Sequence, residues 1–288
     1  MSHQATELAE LVEQQGRNKK RTEIIAVTSG KGGVGKSNIS ANLAYTLCKM
    51  GYKVAAFDAD IGLANLDLIF GVKAHKNILN VLKGECELKD IVIPVENGLY
   101  LIPGDSGDEI FNYITEDSVA RLVNEGSGVL SDIDFLVIDT GAGIGGLTQK
   151  FLDASDMLIV VTMPDPSAIT DAYAAIKVNA KKRNSIFMIL NMVKSAKEAE
   201  NVYLRMKQIA YKNMCSLSLE FLGYIQSSPS VSSATRGRTL FSRVDPSDQS
   251  SLQLRDIARQ ILSKRERKML VEEKSGFGGF FQRLLKYL

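Results

Sequence analysis

Residues 30–37, Gly30-Lys31-Gly32-Gly33-Val34-Gly35-Lys36-Ser37, spell the pattern G-x-x-x-x-G-K-[ST]. Each position has a chemical use. Glycines let the main chain wrap an anion closely and turn its N–H groups inward. A helix opening at the end of the loop adds a dipole that favours negative charge. Lys36 is placed to reach the β- and γ-phosphate oxygens of a nucleotide, and the Ser37 hydroxyl to bind Mg²⁺. Asn38 completes the segment expected to hold the phosphates. Two further places supply carboxylates. Asp58 and Asp60 stand at i and i+2, so on a strand they share a face. At the carboxyl end of that strand they approach a γ-phosphate and its metal. Asp139 follows the four apolar residues Phe135 to Ile138. That is the Walker B arrangement, in which the acid acts on Mg²⁺ through its hydration shell.

These groups can act together only if the chain brings them to one edge. Ile24 to Val27 is a continuous apolar run, as expected of a strand buried on both faces, and it leads into the glycine loop. A helix from about Lys36 to Met50 follows, ended by Gly51. Further strands are expected at Lys53–Phe57, Tyr100–Ile102, Asp134–Ile138, Met157–Thr162, Ser185–Leu190 and Leu219–Tyr224, with helical stretches between most of them. The alternation predicts an α/β fold of P-loop NTPase type, a mainly parallel sheet with helices on both faces. Ligands of such sheets bind beyond the carboxyl ends of the strands. A last domain helix is expected over 251–271, with 272–276 as a linker.

The 288 residues suit one large α/β domain or two small ones. Hydrophobic residues at 45% and charged residues at 24% are enough to build a sizeable core. A net charge of +2 does not predict a sequence-independent grip on nucleic acid. Cys48, Cys86 and Cys215 are far apart and form no CxxC, which speaks against a disulfide framework or a structural zinc site. His3 and His75 are the only histidines, so a histidine-rich metal site is excluded. The start has no basic region followed by an apolar run, and no stretch of about 18 apolar residues could span a membrane. The expectation is a protein that is soluble or lies on a membrane surface.

Both ends carry amphipathic patterns. Residues 4–15 predict a short helix with Ala5, Leu8, Leu11 and Val12 on one stripe. Phe277, Phe280, Phe281, Leu284, Leu285 and Leu288 fall at i, i+3, i+4, i+7, i+8 and i+11, one continuous apolar stripe. Gln282, Arg283 and Lys286 lie elsewhere around it. Such a helix suits a membrane interface. Docking on its own domain, or docking that dimerisation relieves, are the other readings. Two tails per dimer would raise avidity for a membrane.

Lys31, the additional lysine that opens KGGVGKS just after Gly30, resembles the signature of the deviant Walker A ATPases of the MinD/ParA type. The resemblance implies an ATPase that uses ATP and Mg²⁺ and works as a face-to-face homodimer, with Lys31 reaching the nucleotide of the other subunit. Asp58 then supports the metal through water, and Asp60 orients the attacking water. Thr140-Gly141-Ala142-Gly143 resembles switch II, whose backbone senses the γ-phosphate; Gly141 stands where septum-site ATPases usually have proline. By the same resemblance Asn191 meets the adenine edge, although an asparagine after a strand is also an ordinary turn residue. Gln226-Ser227-Ser228-Pro229 resembles the segment covering the base.

Asp60 to Gly71 and Asp139 to Ile144 are most similar to the flagellar-number branch of that family (FlhG/FleN/YlxH-like), and the match covers roughly residues 22–260. The branch implies a regulator of flagellar number or placement. It is expected in the cytoplasm, peripherally on the inner membrane in the ATP state. Its implied partners are membrane lipids, flagellar basal-body (C-ring) proteins and a GTPase of the signal-recognition-particle (SRP) type. Gln4-Ala5-Thr6-Glu7-Leu8 resembles the motif that stimulates that GTPase, with His3 where aspartate is usual. The chain then divides into an activator helix and linker (1–21), an ATPase domain (22–263), and a linker with a membrane-targeting helix (264–288). Rival readings are a septum-site ATPase of cell division and a DNA-partition ATPase, the latter using a patch of Arg236, Arg238 and Arg243.

Overall fold

Apolar runs rich in β-branched residues form the strands β1 (Glu23–Thr28), β2 (Val54–Ala59), β3 (Ile93–Glu96), β4 (Leu99–Ile102), β5 (Phe135–Thr140), β6 (Met157–Thr162), β7 (Ser185–Val193) and β8 (Ser218–Gln226). In the computed structural model they make one eight-stranded sheet of order β3-β4-β2-β5-β1-β6-β7-β8. All pairings are parallel except β3 with β4. The structure describes residues 22–60, 64–105, 108–113, 132–143 and 145–269, Arg283, and scattered positions between 115 and 130. The amino-terminal motif (Gln4, Ala5, Leu8), Ile61 to Leu63 and the apolar stripe from Phe277 to Leu288 lie outside the described residues.

Helices α1 (Lys36–Lys49), α2 (Leu66–Phe70), α3 (Ile78–Lys83), α4 (Gly146–Ala154), α5 (Pro166–Asn179), α6 (Ala196–Asn213), α7 (Pro229–Arg236), α8 (Phe241–Val244) and α9 (Gln249–Met269) cover the sheet. Strand periodicity decides which core each residue enters. Ile25 and Val27 of β1 pack with Leu43, Leu47, Phe241 and Ile257 from α1, α8 and α9. On the other face, Ile24 joins Leu79 and Phe151 from α3 and α4. Ala26 joins Ala172, Ile176 and Met206 from α5 and α6.

One element departs from the sequence reading. The expected strands do not include 93–96, a segment that contains Pro94, which cannot donate to a ladder. The structure places β3 at the sheet edge, where a missing donor is tolerated. Asn97-Gly98 supplies the tight turn, with Gly98 at φ 85°. At the other end, the helix expected over 251–271 is α9, Gln249–Met269. Arg265 is only 7% exposed. Its guanidinium lies 4.5 Å from the Phe135 ring centre and 3.6 Å from Asp134. Arg265 of α9 therefore packs against the start of β5. Among the described residues no helix is long and apolar enough to cross a membrane.

Candidate phosphate-binding site

Parallel strands deliver their carboxyl ends to one edge. There Val27 of β1 lies beside Asp139 of β5, and Asp139 beside Asp58 of β2. The glycine loop leaves β1 and turns into α1, whose first residue is Lys36. Lys36 is 6% exposed, and its ammonium donates to Asp139 Oδ1 at 2.9 Å, to Asp60 Oδ2 at 3.4 Å and to Ser37 Oγ at 3.3 Å. Ser40, one helical turn on, donates to the same Asp139 oxygen at 2.8 Å. The second oxygen, Asp139 Oδ2, is buried with no hydrogen-bond partner among the described residues.

A cavity of about 520 Å³ opens above these groups. Gly32, Gly33, Gly35, Lys36, Ser37, Asn38, Asp60 and Ala142 line it, so phosphate loop, acid pair and switch segment share one space. Asn65, Ile69, Thr235 and Arg238 complete the wall. A larger cavity, about 630 Å³ between α6 and the start of β8, carries none of these acids or loop glycines. The orphaned Asp139 oxygen, the Ser37 hydroxyl and the nearby carboxylates form an all-oxygen donor set, which suits Mg²⁺. Among the described residues no group of His, Cys, Asp or Glu forms a metal cage by itself.

The loop glycines do different work. A Cβ on Gly30 would lie 2.1 Å from the Asp171 carbonyl carbon and oxygen, which are rigid backbone of α5. On Gly32 it would meet nothing within 4 Å. Gly30→Ala is therefore expected to destabilise the protein by about 1–3 kcal/mol or more, through overpacking. Gly32→Ala should stay within about 0.5 kcal/mol of wild type and act on nucleotide affinity alone. Denaturant midpoints of the two variants without nucleotide check this; equal losses would refute it.

Asp58 is buried, and its carboxylate holds the chain beyond β2. It accepts N–H bonds from Asn65 at 2.8 Å, Leu66 at 2.9 Å and Asp60 at 3.3 Å. Burial nonetheless pushes its carboxyl up to about 6, and the neighbouring Asp139 charge adds to the rise. Asp60 is raised too, chiefly by burial, with Lys36 opposing. The folded protein therefore holds the Asp58 proton more tightly than the unfolded chain. The resulting stability is full below about 3.8 and lost as pH rises through about 6. Asp165, lowered to about 2 by the Ser167 hydroxyl and the Ala168 N–H, acts in a lower window and does not mask this. Urea midpoints of the nucleotide-free protein in a chelator should fall between pH 4.5 and 6.5 (a window of about two units around the raised value). Asp58→Asn should flatten that slope; an unchanged slope would rule Asp58 out.

The other expected site residues are placed as follows. Lys31 is about half exposed; its ammonium lies 3.5 Å from Asp165 Oδ1 and also donates to Ser167 Oγ, at the start of α5. Gly141 faces Asp60: a Cβ there would be 3.2 Å from Asp60 Oδ1. Gly143, at φ 94°, donates its N–H to Ser29 O at 2.8 Å and so ties the switch segment to the loop. Asn191 does not line the cavity. Its amide donates to Val34 O at 2.8 Å and supports the loop from behind. Gln226 is engaged with Lys194 O and Gln253. Ser228 caps α7 by accepting the Val231 N–H, and Pro229 is its first residue. Cys48 and Cys86 are remote from the site, the former buried with its thiol pushed up to about 11 by burial and by Glu96.

Sequence reasoning missed Ser40, Asp165 and Ser167, and it placed Arg238 only in a patch for DNA. A signal existed for the first two. Ser40 is four residues after Lys36, hence on the same helix face. Asp165-Pro166 after β6 is a helix start, at the same sheet edge.

Comparison with known proteins agrees with this geometry. Residues 20–262 match the family described as ParA, NUBPL iron-transfer P-loop NTPase. The chain is 54% identical to the flagellum site-determining protein YlxH of Helicobacter pylori, over 94% of this chain and 92% of that one. It is 33% identical to the antiactivator FleN of Pseudomonas aeruginosa, over 83% and 86%. The septum site-determining protein MinD of Pyrococcus horikoshii, solved with Mg-ADP, superposes with a TM-score of 0.67 at 25% identity, over 86% and 98%.

Proposed function

The chain belongs to the ParA/MinD family of P-loop ATPases, and from that premise we propose that it is an ATP-dependent dimerising switch that sets flagellar number or placement. The observation that carries the reading is the cluster of Lys36, Asp139 and Asp60 beneath the phosphate loop. The names of the two relatives, a flagellum site-determining protein and an antiactivator, point the output to flagella.

Without nucleotide, Lys36 neutralises the acids. Phosphate oxygens of ATP replace those carboxylates as its partners. The Ser37 hydroxyl, with Asp58 and Asp139 nearby, would hold Mg²⁺, which when bound would supply further neutralisation of the phosphate charge. Asp60 is then free to orient the attacking water. Glycine-loop N–H groups hold the phosphates, and Gly141 to Gly143 report the γ-phosphate through the backbone bond to Ser29. Lys31 leaves Asp165 and crosses to the partner subunit's nucleotide. Asn191 and the 226–229 segment frame the base.

The apolar tail, Phe277 to Leu288, binds membrane lipid in the ATP dimer. Arg283 from that stretch donates to Ala154 O at 2.8 Å and lies 3.3 Å from Asp156. This contact holds Arg283 against the chain between α4 and β6. The amino-terminal residues Gln4, Ala5 and Leu8 act on an SRP-type GTPase, and C-ring proteins receive the dimer. The test is co-sedimentation with anionic liposomes in ATP or ADP, for the full chain and a truncation after Ser275. ATP-dependent pelleting lost on truncation is expected. Pelleting equal in both nucleotides, or none, would overturn the membrane switch.

A further inference from the structure

We propose that Arg238 is a phosphate ligand of the bound nucleotide, resting on the reading of the 520 Å³ cavity as the ATP site. Three observations converge on it. Arg238 lines that cavity together with Lys36, Ser37 and Asp60. Its guanidinium is exposed and makes no hydrogen bond or ion pair among the described residues. The other two cations of the site are already engaged, Lys36 by Asp139 and Asp60 and Lys31 by Asp165. A free guanidinium on a residue that lines the same cavity as a phosphate loop is chemically matched to phosphate oxygens, which it can bind in a two-pronged manner.

The backbone gives independent support. Arg238 has φ 52°, the left-handed region, one of two non-glycine residues so placed among those described. It follows the end of α7, with its N–H donated to Thr235 O at 3.2 Å and the Thr239 N–H to Ala234 O at 3.0 Å. Helix ends of this kind usually put glycine at the left-handed position. Here glycine stands one place earlier, as Gly237 at φ −77°, where it is not needed. A strained backbone held in place by its surroundings is the mark of a side chain kept for use.

The segment is also fixed relative to the loop. Asn38 donates to Thr235 Oγ1 at 2.6 Å, and Asn42 Oδ1 accepts from Ser242 N at 3.0 Å and Ser242 Oγ at 2.8 Å. These contacts pin the chain on either side of Arg238 to α1, one helical turn apart. Arg236, two residues earlier, does not line the cavity, and its Nε bonds Ser232 O at 3.3 Å.

Binding of Mg-ATP and Mg-ADP to the full chain, by titration calorimetry, tests the assignment with Arg238→Gly, Arg238→Lys and Arg236→Ala. Arg238→Gly relieves the backbone strain, so its thermal midpoint should equal or exceed wild type. Its Mg-ATP affinity should fall by about tenfold or more, the worth of a charged hydrogen bond. Arg238→Lys should recover part of that, and Arg236→Ala should bind as wild type. Wild-type affinity in Arg238→Gly overturns the proposal. So does an equal loss in Arg236→Ala, which would mean a diffuse charge effect. Intact ATP binding with lost salt-sensitive DNA binding would assign the arginine to nucleic acid instead. A wild-type chain that binds no nucleotide would refute the site itself, a result distinct from any of these.

Discussion

Lys36→Met is expected to abolish ATP hydrolysis and also to make the nucleotide-free protein easier to unfold. The first effect follows from the phosphate chemistry: loss of the lysine that bridges β- and γ-oxygens should lower turnover by about a thousandfold, as loss of a key charge-stabilising donor does elsewhere. The second follows from the 2.9 Å contact with Asp139, whose side chain is fully buried. Methionine fills the stem's volume but leaves Asp139 with only the Ser40 hydroxyl and one orphaned oxygen. Breaking a buried pair by removing one partner costs about 3–5 kcal/mol, because the remaining charge is uncompensated. Neutralising that charge as well should undo most of the loss. The double variant Lys36→Met/Asp139→Asn is therefore expected to unfold near the wild-type midpoint while remaining inactive. A double-mutant cycle by urea denaturation measures the coupling. Additive losses would show that Asp139 does not depend on Lys36, and that the lysine is parked there without consequence.

Most of this arrangement was legible before the fold was known, for a physical reason. A phosphate loop combines a buried strand, glycines and a helix start within about fifteen residues, so local sequence specifies nearly all of its geometry. Asp58 and Asp139 were legible because each ends an apolar run, Asp60 because it stands two residues after Asp58, and parallel strands end at one edge. What was hidden depends on contacts between distant segments. The Asp139–Ser40 bond joins residues 99 apart, and the Lys31–Asp165 contact joins residues 134 apart. No periodicity records such contacts. Asn191, which the resemblance assigns to the adenine edge, also donates its amide to Val34 O of the loop, a contact between residues 157 apart. The β3 strand was hidden by Pro94, although Asn97-Gly98 carried the hairpin signal. Arg238 looked like part of a surface charge patch, and only the wall of the cavity separates it from Arg236.

Asp60→Ala should behave in the opposite way to Lys36→Met, silent in folding and severe in turnover. Asp60 is 18% exposed on its side chain and lies 3.4 Å from Lys36, the longer of that lysine's two carboxylate contacts. Its removal leaves Lys36 paired with Asp139, so no buried charge is orphaned and the unfolding midpoint should move by less than about 1 kcal/mol. Hydrolysis should nevertheless fall by about a hundredfold or more, the usual worth of a residue that positions or activates the nucleophile. ATP affinity should persist, since the loop, Lys36 and Ser37 are intact. Under the dimer proposal this variant accumulates in the ATP-bound state. Analytical ultracentrifugation with saturating Mg-ATP should then find a dimer that does not decay, against a transient one for wild type. A monomer under saturating ATP, with binding confirmed in the same sample, would sink the dimeric switch while leaving the ATPase chemistry in place. Fast residual hydrolysis would instead move the water-orienting role elsewhere in the cavity. Gly141 is the nearest place to look, because its backbone faces the Asp60 carboxylate.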